Sequence, residues 1–157
     1  MVDLVRKRLR IDGFDYSQGE YVFFATLCAR HKTNPFADVR LAEHVVDALN
    51  WSREHERWRV YCFCLMPDHL HLAISPGRPG ANLSWTIQAF KRWTTRTAWG
   101  CGIHGQLWQR SWYDHVARRE EDLVAICEYI LCNPVRRGLV EKPGDWRWSG
   151  MLDALPF

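Results

Sequence analysis

The sequence predicts an α+β fold, a ferredoxin-like antiparallel sheet with helices on one face. Three observations carry that expectation. Short β-rich runs and longer amphipathic stretches follow one another in the order β-α-β-β-α-β-α. Two of the runs are separated only by Pro67 and Asp68, which make a hairpin turn. No repeat or linker interrupts the 157 residues, so 1–157 reads as one domain, long enough to bury a core.

Taken in order, "YVFFATLC" (21–28) is the first strand. "RLAEHVVDALNWSREH" (40–55) places Leu41, Val45, Ala48 and Leu49 on one helical face. "WRVYCFCLM" (58–66) and "HLHLAIS" (69–75) form the hairpin. "SPGRPGAN" is a loop whose Asn82, or Ser84 beyond it, caps a helix over 83–99, with Leu83, Ile87 and Phe90 inward and Lys91, Arg92 and Arg96 following. After "GCGIHG" the run "LWQRSWYDHVA" (107–117) is the fourth strand. "REEDLVAICEYILCN" opens with acids suited to a helix N-terminus and is stopped by Pro134.

A net charge of +3 decides little, but basic residues cluster in "RKRLR" (Arg6, Lys7, Arg8, Arg10), "KRW" (Lys91, Arg92), "ARR" (Arg118, Arg119) and "RR" (Arg136, Arg137). Such clusters suit a polyanion or are simply solvated surface. Nine tryptophans exceed what a core this size needs, so some are read as surface platforms able to stack on bases. The six cysteines form no CxxC pair, and Cys62 and Cys64 sit in an apolar run. That reads as buried thiols in a reducing compartment rather than a zinc ribbon. No apolar run reaches the ~18–20 residues that span a bilayer, so a soluble, cytoplasmic protein is expected.

Chemistry concentrates in "FCLMPDHLHLAISP". In a strand, His69 and His71 share one face and Leu70 and Leu72 the other, with the histidine Cα atoms roughly 6.5–7 Å apart. With the leucines inward, the imidazoles meet on an accessible surface: a metal site, a nucleic-acid surface or two solvated histidines. Tyr129 and Asn133 are one helical turn apart, with Cβ atoms roughly 5–6 Å from each other. A phenol can be a nucleophile and an amide oxygen can ligate a hard metal, but Tyr129 can equally be a core tyrosine and Asn133 a helix terminator. Two imidazoles and an amide oxygen suit Mg²⁺ or Mn²⁺ better than zinc, which lacks a cysteine or carboxylate ligand here.

"MPDHLHL", "LWQRSWYDHVAR" and "YILCNPVRRGLV", in this order, resemble the signature blocks of REP-associated tyrosine transposases, relatives of the single-tyrosine, IS200-like HUH transposases. The resemblance runs from about Tyr21 to Ser149. It implies the HUH endonuclease fold, Tyr129 as nucleophile, and His69, His71 and Asn133 as ligands of Mg²⁺ or Mn²⁺. The activity it implies is cleavage and transfer of single-stranded DNA near palindromic repeat hairpins through a 5′-phosphotyrosine link. Tyr113 is a rival nucleophile without a ligand one turn on, and Asp114 and His115 are candidate bases. DNA contacts are expected from Arg6, Lys7, Arg8, Lys91, Arg92, Arg96, Trp112, Arg136 and Arg137. The expected partner is hairpin or single-stranded DNA at the nucleoid, with a monomer preferred over a dimer. The alternatives are a catalytically silent hairpin DNA- or RNA-binding protein derived from a transposase, and a phosphodiesterase that uses water.

Overall fold

The computed structural model describes residues 21–117 and 119–157, so the cluster containing Arg6, Lys7 and Arg8 lies outside the described residues, as does Arg118. The elements are β1 (Val22–Cys28), α1 (Val39–Glu54), β2 (Trp58–Leu65), β3 (His69–Pro76), α2 (Leu83–Gly100), β4 (Tyr113–Ala117), α3 (Glu120–Leu131), α4 (Asn133–Arg136) and β5 (Ser149–Met151). The strands form one antiparallel sheet in the order β4-β1-β3-β2-β5. β3 lies between β1 and β2, the split β-α-β arrangement of a ferredoxin-like α+β fold.

Side-chain alternation sorts the core into two layers. Phe23, Ala25 and Leu27 of β1 and Leu70, Leu72 and Ile74 of β3 pack with Leu41, Val45 and Leu49 of α1 and Leu83, Ile87 and Phe90 of α2. Val22, Phe24, Cys62, Cys64 and Ala73 pack on the other side with Leu123, Ile126, Cys127 and Ile130 of α3. A bulge between Val60 and Cys62 re-phases β2, so that Val60 and Phe63 face one layer and Cys62 and Cys64 the other. The helices therefore divide between the two faces, a correction to the expectation of one covered face. The reason lies in the strands: every residue of β3 and nearly every residue of β1 and β2 is buried, so both faces need a cover.

Capping fixes where the helices start. The Asp38 carboxylate accepts from the Arg40 N–H at 2.9 Å, and that bond holds its pKa below the usual carboxylate range. Asn82 accepts from the Trp85 N–H at 3.2 Å and starts α2, as its position predicts. The third helix ends at Leu131, before Pro134, but the chain does not leave helical geometry there. Cys132 keeps helical angles (φ −82°, ψ −3°), and Pro134 falls in the first turn of α4, where a missing N–H costs nothing.

Two further features differ from the sequence reading. The fourth strand is short. Residues 107–112 run irregularly, tied by an Ala29–Trp108 bridge and by the Gln109 N–H to the Cys28 carbonyl at 2.8 Å. β5 adds a fifth strand against β2. Trp58, Trp108 and Trp112 are buried, while Trp51, Trp85, Trp93 and Trp99 are exposed. The six cysteines form no disulfide, and burial pushes the Cys64 thiol up to about 12, so it packs as a small apolar group. Among the described residues no helix is long and apolar enough to cross a membrane.

Candidate active site

β3 supplies the two histidines. Leu70 and Leu72 turn into the α1/α2 layer, which leaves His69 and His71 on the face covered by α3. They are 8% and 6% exposed, so they lie under a roof rather than on the accessible surface expected from the pattern. Their rings meet nearly edge to face (76°), with the two Nε2 atoms 3.0 Å apart.

Each imidazole is held from behind. His69 Nδ1 lies 2.6 Å from the Asp68 carboxylate, which can only accept, so that nitrogen carries the proton. His71 Nδ1 lies 2.9 Å from the hydroxyl of Thr26, its register partner on β1. A hydroxyl can donate or accept, so Thr26 serves either tautomer of His71. The other Asp68 oxygen lies 3.9 Å from Arg137. Thr26 and Asp68 escaped the sequence reading. The sequence marks Asp68 only as a turn residue, and nothing local marks Thr26 as the neighbour of a histidine forty-five positions away.

Tyr129 comes from α3. It is half-buried, with its ring 5.8 Å from that of His71 and 5.7 Å from that of Phe24. The Arg136 guanidinium lies 4.0 Å over the tyrosine ring and donates to the Tyr129 carbonyl at 2.8 Å. Asn133, one helical turn beyond Tyr129, is buried. The structure thus gathers His69, His71, Tyr129 and Arg136, and brings Arg137 to the rim through Asp68.

Other predicted residues lie apart. Arg92 and Arg96 are exposed on α2, across the sheet from the histidines. Lys91 donates to the carbonyls of Gln109, Arg110 and Ser111 at 2.8, 3.4 and 3.2 Å, which pins the irregular segment to α2. Trp112 is 2% exposed and belongs to the α1/α2 core, so it offers no face to a base, a correction to its reading as a DNA contact. Tyr113 is exposed and stands opposite Thr26 on β4, on the histidine face but one strand further out than β1.

The donor set fits a hard divalent ion. Adjacent ligands on one six-coordinate ion at ~2.1 Å are about 3.0 Å apart, the spacing of the two Nε2 atoms. Fixed Nδ1 partners are what metal-binding imidazoles require. Among the described residues no cluster of three or more His, Cys, Asp or Glu side chains is placed for a metal, so a further protein ligand has to be of another type. The buried Asn133 amide is of that type.

A family profile described as "Transposase IS200 like" matches residues 18–133. The chain belongs to the IS200-like transposase family. It is 27% identical over 145 residues to a Haemophilus influenzae protein provisionally named a REP-associated tyrosine transposase, covering 86% of this chain and 81% of that one. It is 23% identical over 131 residues to the REP-associated tyrosine transposase of Escherichia coli K12, covering 83% and 75%. A solved REP-associated tyrosine transposase bound to a REP hairpin superposes with a TM-score of 0.70 at 20% identity, over 89% of this chain and 82% of that one. The fold of this IS200-like transposase is therefore shared with that protein.

Proposed function

We propose that this transposase cleaves and rejoins single-stranded DNA beside palindromic repeat hairpins, with Tyr129 as the nucleophile. The observation that carries the reading is the convergence of the two histidine Nε2 atoms, 3.0 Å apart, beneath the helix that brings Tyr129 against His71. The REP hairpin held by the structural relative supports hairpin DNA as the substrate.

His69, His71 and Asn133 are the residues that would hold Mg²⁺ or Mn²⁺. When bound, the ion supplies Lewis-acid polarisation of the scissile phosphate and relieves charge on the departing oxygen. Asp68 and Thr26 keep the imidazoles turned to the site. Arg136 fixes the tyrosine ring from its outer face. The Tyr129 Oη attacks phosphorus in line, the P–O bond to tyrosine forms, and the P–O3′ bond breaks. One proton leaves the phenol and one is gained by the 3′-oxygen. The phosphodiester energy is retained, so a second 3′-OH can reverse the step without ATP. Arg136 and Arg137, exposed beside the cluster, are placed to meet flanking phosphates. Tyr129 and both histidines come together within one chain, which supports a monomer as the unit of action, working at the nucleoid.

The test is a denaturing gel of end-labelled hairpin DNA incubated with Mg²⁺ or Mn²⁺. Wild type gives a metal-dependent protein–DNA band and Tyr129→Phe gives none. Cleavage by both without that band assigns hydrolysis by water, and hairpin binding without cleavage assigns a silent binding module.

A further inference from the structure

Across the sheet from the histidines, α2 and the irregular segment before β4 enclose an open groove of about 840 Å³. Arg30, Arg92 and Arg110 line it together with Gln88 and Gln106, and no acidic residue does. α2 itself, from Leu83 to Gly100, contains no Asp or Glu. None of the three groove arginines belongs to an ion pair among the described residues. The groove is thus a positive concavity without internal counter-charge.

A stripe of α2 continues from it. Trp85, Arg92, Arg96 and Trp99 follow at intervals of seven, four and three residues, which keeps them on one helical face, and all four are exposed. Trp85 is 74% and Trp99 54% exposed, large aromatic surfaces left in water on either side of two guanidinium groups. Arg92 belongs to both the groove and the stripe.

Arg30 brings the groove's lining to the histidine end of the sheet. Cys28 pairs with His69, the Ala29 N–H donates to the Asp68 carbonyl at 2.8 Å, and the Arg30 N–H donates to the Leu107 carbonyl at 2.9 Å. A strand leaving the histidines past Asp68 therefore meets Arg30 first.

We propose that this groove and the α2 stripe bind single-stranded DNA, the unpaired strand flanking the cleavage site as it rounds the end of the sheet. The inference rests on the DNA reading above and deepens it by giving the strand a path. The chemistry favours an unpaired strand over a duplex. Guanidinium groups hold phosphates, and glutamine amides bond to base edges. Exposed indoles stack only on bases whose faces are free.

The test measures anisotropy of labelled oligothymidine and of a blunt hairpin with no tail, titrated with the full chain over a range of salt. Arg30→Gln/Arg110→Gln and, separately, Trp85→Ala are compared with wild type; the changed side chains are exposed. The double variant should bind oligothymidine on the order of tenfold more weakly, with a salt slope smaller by about 1.4, for two lost phosphate contacts. Trp85→Ala should weaken the same complex with the slope unchanged, and both should bind the blunt hairpin as wild type does. Wild-type binding of oligothymidine by both variants overturns the proposal, and so does a loss confined to the blunt hairpin. The covalent-adduct test is independent of it. Absence of an adduct alongside weakened oligothymidine binding removes the cleavage reading and keeps the groove, and the converse pair of results does the reverse.

Discussion

His69 and His71 face each other Nε2 to Nε2 at 3.0 Å, and each turns its Nδ1 to a partner on a different element, Asp68 in the hairpin turn and Thr26 on β1. Two imidazoles so close cannot both present an N–H to the gap. Without an ion, His71 Nε2–H donates to His69 Nε2 while Thr26 donates to His71 Nδ1. Holding an ion would require both Nε2 lone pairs, with the His71 proton on Nδ1 donating to Thr26. The change would need the other His71 tautomer and a turn of the Thr26 hydroxyl, with no movement of either ring.

Removing either imidazole removes a donor from this pair. His69→Ala and His71→Ala should each lower cleavage on the order of 10³-fold, the scale of several kcal/mol of lost transition-state stabilisation. Circular dichroism should show both variants folded. Gross unfolding would assign the histidines to structure instead.

Asp68 acts through His69. Asp68→Asn leaves the ring in place but weakens its orientation, and should reduce Mn²⁺ affinity about 10–100-fold in a calorimetric titration of the protein without DNA. Unchanged affinity would remove Asp68 from the support of the site.

Asp153 ties the end of the chain to the fold. Burial opposes its charge, but the bond from Arg53 Nε at 2.9 Å and the Val60 N–H at 2.8 Å hold its pKa below the usual carboxylate range. A pKa depressed by folding contributes stability that is complete above the unfolded value near ~3.9 and is lost as pH falls through the folded value. Asp153→Asn should cost about 1–3 kcal/mol at neutral pH in urea melts, and the difference from wild type should shrink below about pH 4.

Gly77 follows β3 where its Cα passes directly against the Glu56 backbone. A Cβ there would collide with the Glu56 carbonyl and come within 2.9 Å of Trp58 N. Gly77→Ala should destabilise by about 1–3 kcal/mol, read as a lower urea midpoint with an unchanged slope.

The sequence disclosed what local chemistry controls. The period-two alternation around His69 and His71 placed them on one face of a strand, and the structure keeps them there. Apolar spacing located α1 and α2, and the Asn82 cap marked the start of α2. What it concealed depends on partners distant in the chain. Unbroken apolar runs such as "VFFATLC" read only as strands with one covered face, and it is the packing of α3 that reveals a second cover lying over the histidines. Thr26 reaches His71 through strand register, which has no local signature. β5 exists because Leu65 N–H donates to the Trp148 carbonyl and Trp146 Nε1 to the Leu65 carbonyl, at 2.8 and 3.0 Å, rather than through any strand propensity of its own. Trp112 looked like a platform because composition alone does not say which tryptophans the core consumes.

Peptide mass spectrometry reads whether Tyr129 becomes joined to DNA. The protein–DNA adduct formed with Mn²⁺ would be trimmed with nuclease, digested with trypsin and sequenced by fragmentation. The expected result is a nucleotide mass on Tyr129, within the tryptic peptide that ends at Arg136. The same mass on Tyr113, the exposed tyrosine on β4, would contradict it.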